Sequence, residues 1–292
     1  MCGEEGMTRV PSEKWLEALN AEMAKDGTAH RGRPWRAWLL WAQETGAPLD
    51  LEHPDVRRIF EWFAANTKTS SQLLGPMYLG AFYYDAEFWP LPVPIAFGTV
   101  RLDLVELLSS MPRAVVSRMT TDPAAVAMLM NVFADSVDVA FHFDDAQRSA
   151  CNSEFDRCLM KSAYSTLQGV APLLLMSVPN PNAIQASRFA AEIFLKAFLA
   201  AKDGLTETTA KKLYGHRLDR LAARCLEIAP NSDFGQVLSQ VGVFPPVEER
   251  YQSIEWKGAN LWDAYATALL TAATVVRILT GQDSRLALAS VS

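Results

Sequence analysis

The chain has 292 residues, half of them hydrophobic and a tenth aromatic, with a formal net charge of −6. That length allows one large domain or two ordinary ones, and the apolar content supplies a buried core, which excludes disorder outside the termini. The negative balance excludes non-specific nucleic-acid or anionic-membrane binding as a property of the whole surface, leaving only a local basic stripe open.

The first predicted element is a helix, with Ser12 as N-cap and Trp15, Leu16, Leu19 and Met23 at helical spacing behind it. "RGRPWRAWLLWAQETG" predicts a second, with Pro34 in the first turn and Gly46 as its stop. "HPDVRRIFEWFAANT" repeats the device: Pro54 starts it, and Val56, Ile59, Phe60 and Phe63 share a face. The texture changes in "MYLGAFYYDAEFWPLPVPIAFGTVRLD", which is aromatic, β-branched and broken by Pro90, Pro92 and Pro94. Each proline lacks an amide proton and holds its predecessor extended. The expectation for 76–101 is therefore a strand or two joined by an extended, proline-rich crossing.

Pro123, following Asp122, opens a further helix, with Val126, Met130, Phe133, Val137 and Phe141 at helical spacing. "SVDVAFHF" within it also alternates like a strand over 136–143, but the helical spacing continues through Asp135 and favours helix. Another helix is expected from Glu154 to Gly169, and "SVPNPN" (177–182) reads as a turn or linker.

"AAEIFLKAFLAAKDG" (190–204) is helical and apolar almost all the way round. Ala191, Phe194, Leu195, Phe198 and Leu199 form one stripe, while Phe189, Ile193 and Ala197 cover much of the reverse. Only Arg188, Glu192, Lys196 and Asp203 remain, on a narrow ridge. Such a helix belongs at the centre of a bundle. "GHRLDRLAARCLEIAP" follows as an amphipathic helix with Leu218, Leu221, Ala222, Cys225 and Leu226 inward, Arg217, Arg220 and Arg224 on another face, and His216 at its start. The last helix, in "ERYQSIEWKGANLWDAYATALLTAATVVRILTG", is expected to be capped by Asn260 and stopped by Gly281. Leu261, Tyr265, Ala268, Leu269, Ala272 and Val276 are its expected inward face.

These last segments resemble the HEPN superfamily of α-helical domains. Its members share a Glu-x-x-x-Lys-Ala helix, a His-x-Leu-x-x-Leu helix start, and an Arg-Tyr pair before the last helix. The matching positions here are Glu192, Lys196 and Ala197; His216, Leu218 and Leu221; and Arg250 with Tyr251. The resemblance covers 145–281 and implies an up-and-down bundle that commonly dimerises. Catalytic members resemble one another in an Arg-polar-x(3–5)-His motif on the last helix. This chain has no histidine after His216, so that proton-transfer role has no candidate residue. The resemblance thus implies the non-nucleolytic, binding kind of domain.

Each candidate has a structural reading beside its functional one. Glu192 and Lys196 line a polar pocket or simply tie helices together. His216 contacts a phosphate at a helix N-terminus, or caps that helix. The arginines at 217, 220 and 224 track a nucleic-acid backbone, or form a solvated face. "RGRPWRAW" interleaves Arg31, Arg33 and Arg36 with Trp35 and Trp38, as single-strand RNA binding requires, although tryptophans at this spacing also suit a core. "HFDD" (142–145) lacks a third metal ligand. There is no P-loop, dinucleotide fingerprint or G-x-S-x-G. Cys2, Cys151, Cys158 and Cys225 form no Cys-x-x-Cys pair. "MCGEEGMTRVPSEKW" has no apolar core, and the apolar run "APLLLMSV" is too short for a bilayer.

The sequence therefore predicts a mainly α-helical, cytoplasmic protein: an N-terminal helical region (1–122) with a small β or extended insertion, then a HEPN-like bundle (123–292). Its expected function is non-catalytic binding of a nucleotide, RNA or protein partner as a homodimer, without cofactor, metal, membrane or DNA. By resemblance this lies in stress response or phage defence. The candidate ligand-binding residues are Glu192, Lys196, His216, Arg217, Arg220, Arg250 and Tyr251. The rival readings are a diverged ribonuclease using His216 and the neighbouring arginines, and a structural subunit of a complex.

Overall fold

In the computed structural model the described residues are 11–47, 50–67, 76–95, 102–150, 153–246 and 256–285. The fold is mainly α. Contacts divide the chain into two compact units, Met1–Gly75 and Pro76–Ser292. The boundary expected at 122/123 does not coincide with this division, because the extended segment packs with the C-terminal helices.

The first unit holds α1 (Glu13–Lys25), a 3-10 turn (His30–Gly32), α2 (Arg33–Thr45) and α3 (Pro54–Asn66). Their starts and stops follow the local chemistry. Ser12 Oγ accepts from the Trp15 amide, Pro34 sits in the first turn of α2, Gly46 ends α2 in left-handed geometry (φ 68°), and His53 caps α3. Leu16, Met23, Trp38, Trp41, Ile59 and Phe63 close a core of their own.

The second unit begins with a hairpin, β1 (Tyr78–Tyr84) antiparallel to β2 (Glu87–Val93). Asp85 and Ala86, at φ 57° and 62°, make the two-residue turn with both backbones left-handed, as a primed hairpin turn requires. The joint is thus at 85–86, and Pro90 and Pro92 lie inside β2 rather than in a crossing. Both are accommodated because they are two residues apart and so share one edge of the strand. Pro90 faces Ala81, whose amide turns away from β2 and donates to the Tyr265 hydroxyl at 3.4 Å. An outer edge missing two donors is also a poor template for a further strand.

The helices that follow are α4 (Leu104–Leu107), α5 (Arg113–Thr120), α6 (Pro123–Ala150), α7 (Glu154–Gln168), α8 (Val170–Leu174), α9 (Asn182–Asp203), α10 (Glu207–Leu213), α11 (Leu218–Ile228), α12 (Phe234–Gln240) and α13 (Gly258–Thr280). Helix α13 packs on α6 and α9, α7 on α9, and α11 on α9 and α12, while the hairpin rests on α6 and α13. The 136–143 stretch is helical, inside α6. On α6 Leu129, Val132, Phe133, Val139 and Phe143 are buried together with Asp135 and Asp138, and Val126, Met130, Val137 and Phe141 are half-buried. Helix α6 is long and apolar enough by composition to cross a bilayer, yet half of that stretch is buried in protein. At the start of α13 the N-cap is Lys257, not Asn260; Asn260 occupies the third helical position, and its side chain accepts from the Lys257 amide at 3.2 Å. Gly281 ends α13 as expected, at φ 72°.

Gly80 sets how closely the hairpin approaches the helices. A Cβ there would lie 3.2 Å from the Leu91 carbonyl oxygen, 3.2 Å from Ser136 Oγ and 3.3 Å from the Tyr265 hydroxyl. Gly80→Ala is therefore expected to cost about 1–3 kcal/mol through overpacking. The check is the urea midpoint, and an unchanged midpoint would show that the strand can lift without loss.

Candidate functional site

Helix α9 is buried along nearly its whole length, and most of its charged ridge is enclosed too: Glu192 is 2% exposed and Arg188 9%, while Asp203 at the end of the helix is exposed. Phe189, expected on a covered side, is half exposed. At successive turns Arg188 and Lys196 flank the Glu192 carboxylate. Lys196 Nζ donates to Oε1 at 2.7 Å, and Arg188 Nη1 to Oε2 at 3.3 Å. Burying a carboxylate this deep is costly without such compensation. Arg188 also donates from Nη2 to the His216 carbonyl at 2.8 Å and from Nε to the Pro245 carbonyl at 3.2 Å, pinning two loops onto α9.

One of those loops carries the histidine. Gly215 takes left-handed geometry (φ 54°) after α10, and Arg217 is the N-cap of α11. The turn swings His216 back across α9, where Nδ1 lies 3.0 and 3.2 Å from the two Glu192 oxygens. A carboxylate accepts only, so Nδ1 carries the proton and Nε2 is left as an acceptor while the ring is neutral. The side chain is 66% exposed, which leaves the far edge of the ring to solvent.

His216 borders a cleft of about 530 Å³ whose walls include Arg188, Arg217, Gly242, Phe244 and Pro245. The N-cap Arg217 makes no side-chain cap contact, but the Asp219 carboxylate, which also lines the cleft, sits in the first turn of α11 and is met there by the backbone amides. Arg188 and Lys196 against Glu192 leave one positive charge in excess.

The structure thus brings Glu192, Lys196 and His216 together and sets Arg217 beside them. Arg217 is turned to Asp219 through two contacts of 3.0 and 2.8 Å; this exposed pair holds the Asp219 carboxyl below its ordinary range. Arg220 is exposed. Arg224 is held by Asp203 at 2.9 Å and Glu227 at 2.8 Å, so the arginine face is largely neutralised by its own neighbours. Arg250 and Tyr251 lie outside the described residues.

In the first unit Trp38 is buried and packs edge-on to Trp35 at 5.6 Å, and Trp35 to Phe60 at 4.9 Å. Arg33 is buried and donates to Asn20 and the Thr28 carbonyl. The "RGRPWRAW" tryptophans are therefore packing groups here. Among the described residues no three histidine, cysteine, aspartate or glutamate side chains converge to hold a metal ion.

A second charged cluster was not singled out from the sequence. Arg277, in the last turn of α13, is 7% exposed and spreads its guanidinium over Asp135 and Asp138 of α6, the latter at 2.6 Å from Nε, and Asp233 at 3.2 Å. Arg285 joins Asp233 at 2.8 Å and Asp283 at 2.9 Å. Burial pushes the Asp135 carboxyl up to about 6 in spite of Arg277. The available signal was an i, i+3 pair of aspartates inside an otherwise apolar helix, which needs a buried cation elsewhere in the chain. No family model matches this chain, and no curated protein and no solved structure is significantly similar to it.

Proposed function

We propose that the chain is a non-catalytic, HEPN-like binding protein whose C-terminal unit takes a phosphate-bearing ligand, a nucleotide or the backbone of an RNA, in the cleft beside His216. One observation carries this reading: His216 is anchored through Nδ1 by a buried, doubly compensated carboxylate while its outer edge stays exposed at the cleft. An anchored imidazole and the Arg188 and Arg217 guanidiniums lining the same cleft are groups that hold an oxyanion. The thiols of Cys158 and Cys225 are unpaired, as a reducing, cytoplasmic setting would have them. Homodimerisation and a role in stress response or phage defence belong to the same reading and rest on the resemblance of Glu192, Lys196, His216, Leu218 and Leu221 to the family pattern.

The test is titration of the protein with ATP and with a short single-stranded RNA at low salt, followed by calorimetry, with the oligomeric mass recorded alongside. His216→Ala and Arg217→Ala are each expected to weaken binding about tenfold, the scale of one lost charge-assisted hydrogen bond. Equal binding by the wild type and both variants sinks the assignment of this cleft. The same Glu192–His216 contact favours a second reading, a ribonuclease with a relocated site, since a carboxylate-oriented imidazole is also a general base. RNA cleavage by the wild type, abolished in His216→Ala, would replace the binding reading with that one.

A further inference from the structure

The Glu192 contact decides which nitrogen of His216 can serve a ligand, and in which protonation state. Both carboxylate oxygens lie against Nδ1, at 3.0 and 3.2 Å, and both also accept from the flanking Lys196 and Arg188. A carboxylate offers no proton in return, so the single N–H of a neutral ring is committed to this contact. Nε2, on the far edge of the ring, is then a bare lone pair. A phosphodiester oxygen is an acceptor as well, and two acceptors set against each other repel. Neutral His216 therefore opposes the ligand that the guanidiniums of Arg188 and Arg217 attract. The imidazolium reverses this: it keeps Nδ1–H on Glu192 and gains Nε2–H, a charge-assisted donor.

The charges that face the ring come from three elements. Helix α9 presents Glu192 between Arg188 and Lys196, the end of α10 presents Tyr214, and α11 presents Arg217 paired to Asp219. The remaining wall, 241–246, has no ionisable side chain. Burial raises the Tyr214 phenol above its ordinary range and Arg217 holds the Asp219 carboxyl below its own, so neither changes charge near neutral pH.

Building on the phosphate-binding reading of this cleft, we infer that binding there is coupled to the uptake of one proton by His216 at Nε2. The proton comes from solvent and returns to it on release. Arg188 and Arg217 donate at any pH, so they hold the phosphate weakly under alkaline conditions, and protonation of the ring adds the third donor. The protein thus grips its ligand as the surroundings acidify and loosens as the pH rises.

The experiment is isothermal titration of the full chain, at low salt, with an oligouridylate that lacks terminal phosphates, because a phosphate monoester itself titrates near about pH 6. Binding is expected to be about tenfold or more tighter at about pH 6 than at about pH 8, the range in which an imidazole changes charge. Heats measured in two buffers of different ionisation enthalpy should report a net uptake of up to one proton per site. His216→Gln, neutral throughout, is expected to bind weakly at both pH values and to take up no proton. If that variant fails to fold, the two-buffer comparison on the wild type still decides. Equal wild-type affinity at both pH values with no proton uptake overturns the coupling and leaves the phosphate reading standing, with Nε2 then accepting from a ligand hydroxyl. A His216→Gln profile as steep as that of the wild type overturns the assignment to His216. Absence of binding at either pH removes the phosphate reading and the coupling together.

Discussion

Replacing Arg277 by alanine is expected to cost about 3–5 kcal/mol of stability, the range for removing one partner from a buried charged cluster. The guanidinium lies within 3.5 Å of carboxylate oxygens of Asp138, Asp233 and Asp283 and also contacts Asp135. Asp138 is completely buried, so its carboxylate relies on the cation for compensation. Asp138 Oδ1 also accepts from the Ser284 amide at 2.8 Å, which ties the chain after α13 back onto α6. The loss should therefore appear as a cooperative drop in urea resistance followed by circular dichroism, and a loss below about 1 kcal/mol would mean that the cluster is solvated.

The deficit should also depend on pH, and its sign follows from Asp135. Burial holds that carboxyl at about 6 in the folded protein against an ordinary 3.8, while Arg277 pulls it downward. Between those values the folded state binds more protons than the unfolded chain. The penalty for burying Asp135 is thus fully present above pH 6 and is relieved as the pH falls towards 3.8. Without Arg277 the carboxyl rises further, so the penalty grows and its relief begins at a higher pH. The difference between wild type and Arg277→Ala is expected to be largest near pH 7 to 8 and to shrink on acidification; a difference constant with pH would show that Asp135 does not titrate in this range.

The second large effect concerns Glu192. Glu192→Ala leaves Arg188 and Lys196, whose side chains are 11% and 15% exposed, one turn to either side of an empty position with no counter-ion between them. A loss of about 3–5 kcal/mol is expected. His216→Ala should cost less than about 1 kcal/mol, because that ring is largely exposed and Arg188 still holds the loop through the residue 216 carbonyl. Comparing the two denaturation curves separates brace from binding group: Glu192 organises the loops, and His216 is the part presented to a ligand. Equal losses for both variants would make His216 a structural residue, and would remove the observation on which the phosphate-binding reading rests.

Most element boundaries were legible because they depend on groups within one turn of each other. Ser12, Pro34, Gly46, Pro54 and Gly281 each act on backbone N–H or C=O groups a few residues away. Asn260 shows the limit of that reasoning. Its side chain takes part in the reciprocal contact at the start of α13, but the helix begins three residues earlier than a cap at 260 would set. The proline-rich strand was harder to read, since whether a proline is tolerated depends on which edge of the strand it faces. That is decided by the partner strand and by the Tyr265 hydroxyl on α13.

The candidate site divides the same way. The contact of Glu192 with Lys196 is an i, i+4 relation written into the helix, and the wheel of α9 already shows that it must be enclosed. By itself, then, the sequence determined a mainly helical protein, the central place of α9 and the residues Glu192, Lys196 and His216 as a set worth attention. Tertiary structure alone decided that His216 reaches Glu192 across 24 residues, that Arg277 meets Asp135 and Asp138 across 142 and 139 residues, and that the hairpin belongs with the C-terminal helices. The reason is physical. Local hydrogen bonding and hydrophobic periodicity act over a few residues and are visible in any window of the chain, whereas the partner of a buried charge is chosen by which helices pack together.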